Sequence, residues 1–264
     1  MVKGLSKLVL PNATLAEFFT QAEAAGYDAV ELALEKEGEL TLSSPREKID
    51  EILKLTKKHG LPIVSVVQLQ CTGNLLADGE EQDRSVAETV AGLEITAALG
   101  AKCVLHTLGR VTREICYDKA YENAAASLKR VAPEAARLGV NFAVEFVWNG
   151  FLFSPLEMKR LLDEVGSKSV GFYFDPGNMA VFQYPEHWAR ILGGHIMMVH
   201  MKDWRGNALD GGWPALLKGE VDFSAVMAEL RRVGYNGPLI SEVETGEASI
   251  EETAMTITKI MIEA

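Results

Sequence analysis

Cysteine, histidine, basic charge and long apolar runs are all in short supply in this sequence, and each shortage narrows the function. The 264 residues include three cysteines, Cys71, Cys103 and Cys116, with no CxxC pair among them. The chain is therefore not expected to carry a disulfide framework or a thiolate metal site, and free thiols point to the reducing cytoplasm. No stretch reaches membrane-spanning length without charge, and the short apolar run near the start is broken by Pro11 and Asn12, so a soluble protein with no membrane partner is expected. Lys and Arg number 26 against 37 Asp and Glu, a formal charge of -11, and the resulting negative field opposes unassisted binding to nucleic acid or anionic lipid. No GxGxxG opens any turn, which argues against a doubly wound dinucleotide-binding sheet, and no glycine loop suited to cradling phosphate is present. Low-complexity segments and linkers rich in Pro, Gly or Ser are missing too, so the chain reads as one domain, 1-264.

What is present is a regular alternation of helical and strand-like patterns, in a chain whose 48% hydrophobic residues are ample for a buried core. Gly26, Gly60, Gly100, Gly139 and Gly234 each close a helical pattern and precede a strand-like run (GYDAVEL, GLPIVSV, GAKCVLH, GVNFAVE, GYNGPLI), as a left-handed helix stop requires. Thr14/Glu17, Ser44/Glu47, Ser154/Glu157 and Ser249/Glu252 have capping-box spacing, two of them followed by Pro45 and Pro155. Helical stripes run through Val86, Val90, Leu93 and Ala97, through Ala124, Leu128, Val131, Ala135 and Leu138, and through Phe223, Val226 or Met227, Leu230 and Val233. Pro133 lies inside the second stripe and is expected to kink or break it. Strands are placed at 5-10, 28-33, 62-68, 102-107, 140-145, 169-174, 195-200 and 237-242. Eight strands alternating with eight helices, at about 33 residues per unit, predict a (β/α)8 TIM barrel; near-continuous apolar strands such as VGFYF and HIMMVH suit a parallel sheet buried on both faces.

Four successive strands end in a side chain able to hold a metal: NFAVE at Glu145, VGFYFD at Asp175, IMMVH at His200 and PLISE at Glu242. In a parallel barrel all strand C-termini share one face, so these four are expected to converge. Each has a plain structural reading alone: a carboxylate paired with a helix-end lysine, a turn former before Pro176-Gly177, a satisfied core histidine. Together they would bury unpaired carboxylates at a cost of several kcal/mol each, which a cation removes. Three carboxylates and one imidazole suit one divalent ion, Mn²⁺, Mg²⁺, Co²⁺ or Zn²⁺.

The segments VEF, FDPGNM, VHMKDW, GEVDF at 219-223 and the closing GPLISEVE resemble the xylose isomerase-like TIM barrel superfamily of sugar isomerases and epimerases, which includes tagatose 3-epimerase-type enzymes, inosose dehydratases and endonuclease IV. The resemblance spans most of the chain and is sharpest from residue 140 onward. It implies that Glu145, Asp175, His200 and Glu242 bind one metal ion, that Glu145 and Glu242 also move a proton by way of an enediolate, and that the substrate is a sugar or related polyol. It also implies a possible homo-oligomer. Asn178 stands where these enzymes often have a histidine, which removes a potential second-metal ligand. An inosose-type dehydratase begins with the same proton removal; a non-catalytic sugar-binding relative would have lost a base; an endonuclease IV-like nuclease would need more than the five histidines here and a basic surface.

Around this set, His106 ends the fourth strand and either lines the substrate site or packs structurally. Lys202 shares strand parity with His200 and either reaches a substrate oxygen or is a solvated charge. Glu244 shares parity with Glu242, as a partner or second base. Gln68 and Gln70 are placed to bind hydroxyls or to cap the third strand. Trp148, Phe151, Phe153, Trp204 and Trp213 are candidate pocket walls.

Overall fold

The computed structural model describes residues 1–68 and 71–264. Its strands, in chain order, are β1 (Lys3–Ser6), β2 (Ala29–Ala33), β3 (Ile63–Val67), β4 (Cys103–His106), β5 (Asn141–Glu145), β6 (Val170–Phe174), β7 (Ile196–Met201), β8 (Arg205–Asn207), β9 (Asp210–Gly212) and β10 (Leu239–Ser241). Eight of these close a parallel barrel in the order β1-β10-β7-β6-β5-β4-β3-β2, while β8 and β9 form a separate antiparallel hairpin. The helices are α1 (Leu15–Ala24), α2 (Arg46–His59), α3 (Gly79–Ala98), α4 (Tyr117–Leu138), α5 (Pro155–Val165), α6 (Pro176–Ala180), α7 (Pro185–Leu192), α8 (Phe223–Arg232) and α9 (Ile250–Glu263). This is the expected (β/α)8 fold. Among the described residues no helix is long and apolar enough to cross a membrane.

Two packed layers follow from strand alternation. Val67, Cys103, Leu105, Ala143, Tyr173, Met198 and Ile240 fill the barrel interior. Neighbouring residues of opposite parity, such as Val66, Val104, Phe142, Phe172, Val199 and Leu239, join helix faces such as Phe223, Val226, Met227 and Leu230 in the outer core. All five expected glycine stops have positive φ, between 64° and 81°.

Local differences from the sequence reading have local causes. The first strand ends at Ser6 because the Ser6 hydroxyl accepts the Leu8 amide and starts a 3-10 turn over Lys7–Val9. Thr14/Glu17 and Ser249/Glu252 form full capping boxes. Ser154 accepts from the Leu156 amide without one, and Ser44 does not cap α2 at all: its hydroxyl accepts from Thr41, and Pro45 occupies the cap position. Helix α4 continues through Pro133, which lies on its exposed side. In α3 the buried face includes Ser85, Thr89, Gly92 and Thr96 beside Val86 and Leu93, so small and hydroxyl residues do much of the packing the apolar stripe was expected to do.

Strands β6 and β7 meet through a register shift at Phe172/Tyr173, and a Cβ on Gly171 would lie 2.4 Å from the His195 carbonyl oxygen and 2.7 Å from the Met197 sulfur. Backbone cannot yield there cheaply. Gly171→Ala is expected to destabilise the protein by about 1–3 kcal/mol, read as a lower urea midpoint at unchanged slope; an unchanged midpoint would contradict the close approach of these strands.

Candidate metal centre at the barrel mouth

Strand parity sets the site. Ala143, Tyr173, Met198 and Ile240 point into the barrel, and Glu145, Asp175, His200 and Glu242 each lie two residues further along the same strands, on the same face at the carboxyl end. One ligand-capable atom from each of the four lies within 4.8 Å of all the others. The Nδ1 of His200 is 3.3 Å from Glu145 Oε1, 3.3 Å from Glu242 Oε2 and 4.0 Å from Asp175 Oδ2, so all three carboxylates gather at one imidazole nitrogen. Asp175 spends Oδ1 on the Asn178 amide at 3.0 Å, capping α6, while its buried Oδ2 has no hydrogen-bond partner among the described residues. A buried oxygen with no hydrogen-bond partner among the described residues, beside two further carboxylates and a ring nitrogen, is a donor set that could hold a divalent cation, so the residues fit such an ion.

The electrostatics are strongly asymmetric. Burial raises Glu145 to about 7 against the opposing pull of His200, and raises Asp175 to about 6 against that of Lys202. Burial also disfavours ionised Glu242, but Lys202 and His200 outweigh it and hold this carboxyl far below the usual range. His200 is desolvated yet pushed well up by Glu31 and Glu242. Lys202 places Nζ 3.0 Å from Glu242 Oε2 and 3.8 Å from Asp175 Oδ2. Its stem lies against Gly177, where a Cβ would come within 2.9 Å of Lys202 Cγ.

The other expected site residues divide. Lys202 faces the four-residue cluster and, with Trp213, Glu242 and the exposed Glu244, lines a cavity of about 370 Å³. Trp148 stacks on Trp213 at 4.7 Å and 10°, Trp204 meets Trp213 at 4.5 Å, and Lys202 Nζ sits 4.7 Å from the Trp213 ring. Phe151 packs instead on Tyr117, and Phe153 on Phe146 and Phe182, away from the tryptophans. Asn178 donates its side-chain amide to the Phe146 carbonyl and its own carbonyl accepts from Trp148, so it braces the loops after β5 and β6.

His106 and Gln68 are one residue out of phase with the inward row of Leu105 and Val67. His106 packs on Phe142 of the outer core. Its Nδ1 accepts the Leu108 amide at 2.8 Å, which leaves the ring proton on Nε2 for the Thr72 hydroxyl at 2.9 Å. It thereby holds Leu108 at a φ of 65° and shapes a second cavity of about 590 Å³ that it lines with Thr72, Asn74, Arg110, Trp148 and Asn149. Gln68 turns towards α3, with its amide against Gly92, and is not brought to the mouth. Gln70 lies outside the described residues. Sequence reading missed Glu31, which is fully buried and bonded to His200 Nε2 at 2.9 Å; a lone carboxylate inside AVELA, sharing parity with the inward face, was the available signal.

An eight-stranded parallel β/α barrel with a carboxylate and histidine cluster at its carboxyl mouth is therefore the class the structure defines. The description "xylose isomerase-like TIM barrel" matches residues 19–260, and the chain belongs to that family. It is similar to the L-ribulose 3-epimerase of Methylomonas sp. (strain DH-1), 24% identical over 86% of this chain and 77% of that one. It is also similar to the inosose isomerase of Bacillus velezensis, 23% identical over 94% and 90%. Among solved structures, an IOLI protein with a bound zinc atom superposes with a TM-score of 0.80 at 18% identity, covering 100% of this chain and 97% of the other.

Because both ring nitrogens of His106 are committed to Leu108 and Thr72, His106→Asn is expected to leave metal content unchanged while raising KM or lowering kcat through the loop it supports. Loss of metal in this variant would contradict that placement. Burial also lowers His106 to about 3 from an ordinary 6.5. The unfolded chain thus takes up a proton first, and the stability this neutral ring contributes is complete above pH 6.5 and falls as pH drops towards 3, by up to about 1.4 kcal/mol per unit. Urea midpoints of the wild type and of His106→Asn should converge as pH is lowered through this window; a constant gap would contradict it.

Proposed function

We propose that this protein is a metal-dependent isomerase of the epimerase type, acting on a sugar or related polyol ketone, with Glu145 and Glu242 as the two proton-transferring groups. The observation that carries this reading is the presence of two glutamates at one imidazole nitrogen, each 3.3 Å away, where a binding protein has no need of a second base. Relatives named L-ribulose 3-epimerase and inosose isomerase support it.

Glu145, Asp175, His200 Nδ1 and Glu242 would hold the ion, which accommodates Mn²⁺, Mg²⁺, Co²⁺ or Zn²⁺ in an oxygen-rich set with one nitrogen. When bound, it supplies Lewis-acid stabilisation of the negative charge that develops on substrate oxygens. One glutamate removes the proton next to the ketone carbonyl, giving an enediolate; the other returns a proton to the opposite face, inverting that carbon. Lys202, beside Glu242 and Asp175, offers a positive charge to a substrate oxygen. Trp148, Trp204 and Trp213 exclude water and give a flat apolar wall for a sugar face. Asn178 holds the Trp148 loop against this pocket, and His106 shapes its second cavity. The full chain, residues 1-264, acts as one barrel domain, and its free thiols accord with a cytoplasmic setting.

Turnover of free and phosphorylated ketoses, with L-ribulose, D-tagatose and an inosose among them, followed in D₂O, tests the reaction. Any substrate converted should gain solvent deuterium at a carbon next to the carbonyl. Glu145→Gln and Glu242→Gln should each lower kcat by roughly 100-fold or more even where metal is retained. Conversion without deuterium, or full activity in both variants, contradicts the two-glutamate mechanism, and a product that has lost water indicates a lyase instead.

A further inference from the structure

Beneath the four-residue cluster lies a second polar group that the proposed chemistry does not use. Glu31 on β2 is fully buried, and a carboxylate in such a place costs several kcal/mol unless its oxygens are satisfied. Three donors from three other strands reach it. Ser6 of β1 donates to Oε1 at 2.7 Å, Tyr173 of β6 donates to Oε2, and His200 of β7 brings Nε2 to 2.9 Å from Oε1. Both Glu31 oxygens accept from hydroxyls, the pattern of an ionised carboxylate, and an ionised Glu31 accepts the hydrogen of the contact with His200 from the imidazole Nε2. The other ring nitrogen, Nδ1, is the one aimed at Glu145, Asp175 and Glu242. The Tyr173 ring lies 4.6 Å from the His200 ring and blocks it from swinging, while Ser65 takes a further contact from the Tyr173 hydroxyl at 3.4 Å.

We propose that Glu31 is a positioning residue that fixes His200 with its proton on Nε2 and its Nδ1 lone pair turned to the barrel mouth, and that Ser6 and Tyr173 lock Glu31 in that pose. The inference rests on the reading that Glu145, Asp175, His200 and Glu242 hold a divalent ion. A ligating histidine whose second nitrogen is held by a carboxylate loses neither orientation nor tautomer on binding, and the carboxylate strengthens it as a donor. A merely structural Glu31 would stabilise the barrel without setting which imidazole nitrogen is free.

Zinc binding and the nitrogen spectrum of His200 separate these readings without reference to turnover. In the Zn²⁺-loaded wild type, ¹⁵N-histidine NMR should show one-bond proton coupling at His200 Nε2 and none at Nδ1. Glu31→Gln should weaken Zn²⁺ binding about 10- to 100-fold, measured by competition with a chromophoric chelator, and should move the Nε2 resonance. Tyr173→Phe keeps the ring but removes a donor to Glu31, and should weaken Zn²⁺ binding several-fold although Tyr173 makes no hydrogen bond to His200. Should Glu31→Gln fail to fold, Tyr173→Phe decides alone: weaker zinc binding supports the proposal and unchanged binding overturns it. An Nε2 without its proton, or a folded Glu31→Gln that binds Zn²⁺ as the wild type does, also overturns it while leaving the metal reading intact. A wild type that does not bind Zn²⁺ or Mn²⁺ removes the metal reading and the proposal together.

Discussion

The constraint on which the rest of this structure depends is the concentration of buried negative charge at one end of the barrel. Glu31, Glu145 and Asp175 are buried and Glu242 is nearly so, and all four lie around one imidazole. Carboxylates brought this close in a low-dielectric interior repel one another and lose their hydration, so the arrangement is tolerable only with compensating cations. The Lys202 ammonium, 3.0 Å from Glu242 Oε2 and 3.8 Å from Asp175 Oδ2, supplies part of that charge. A divalent ion would supply the rest, and the Asp175 oxygen that has no hydrogen-bond partner among the described residues marks where the compensation is incomplete.

The surrounding elements follow from holding this cluster still. Parallel strands β5, β6, β7 and β10 deliver one residue each to the same level, and the interior side chains Ala143, Tyr173, Met198 and Ile240 lie below them. Above, the tryptophans close one side of the mouth. Asp203, three residues after His200, is buried and accepts the amides of Trp204, Gly219 and Val221, which ties the hairpin of β8 and β9 and the segment before α8 to the end of β7. The loops after β4 and β5 are stitched in the same way, with the Asn149 amide donating to the carbonyls of Thr107 and Gly109.

Most of the barrel, and the convergence of Glu145, Asp175, His200 and Glu242, was legible because period-two alternation is a strict geometric rule: a polar residue in phase with an inward apolar row must emerge at the mouth. The same rule explains what was misplaced. His106 and Gln68 end strands, but they are out of phase with Leu105 and Val67, so parity turns Gln68 towards α3 and His106 towards Phe142 and the cavity beside Trp148 rather than towards the four-residue cluster. Glu31 was in phase and passed unnoticed because it sits mid-strand, where its partners Ser6, Tyr173 and His200 come from distant parts of the chain. Neither the hairpin at 205–212 nor the short helix α6 was foreseen, since both are too brief for periodicity to register. Ser44 has the spacing of a helix cap, yet Thr41 claims its hydroxyl, a competition between neighbours that spacing alone does not reveal.

The proposed function requires Glu145, Asp175, His200 and Glu242 to hold one divalent ion. A crystal structure of the protein with added Mn²⁺, with diffraction recorded at the manganese edge, reads this out atom by atom. A single anomalous peak per chain is expected, with carboxylate oxygens of Glu145, Asp175 and Glu242 and Nδ1 of His200 at about 2.0–2.3 Å, and with the Lys202 ammonium displaced outward from Asp175. Two or more well-occupied ions, an ion bound elsewhere, or a mouth still occupied by Lys202 with no anomalous peak would contradict it.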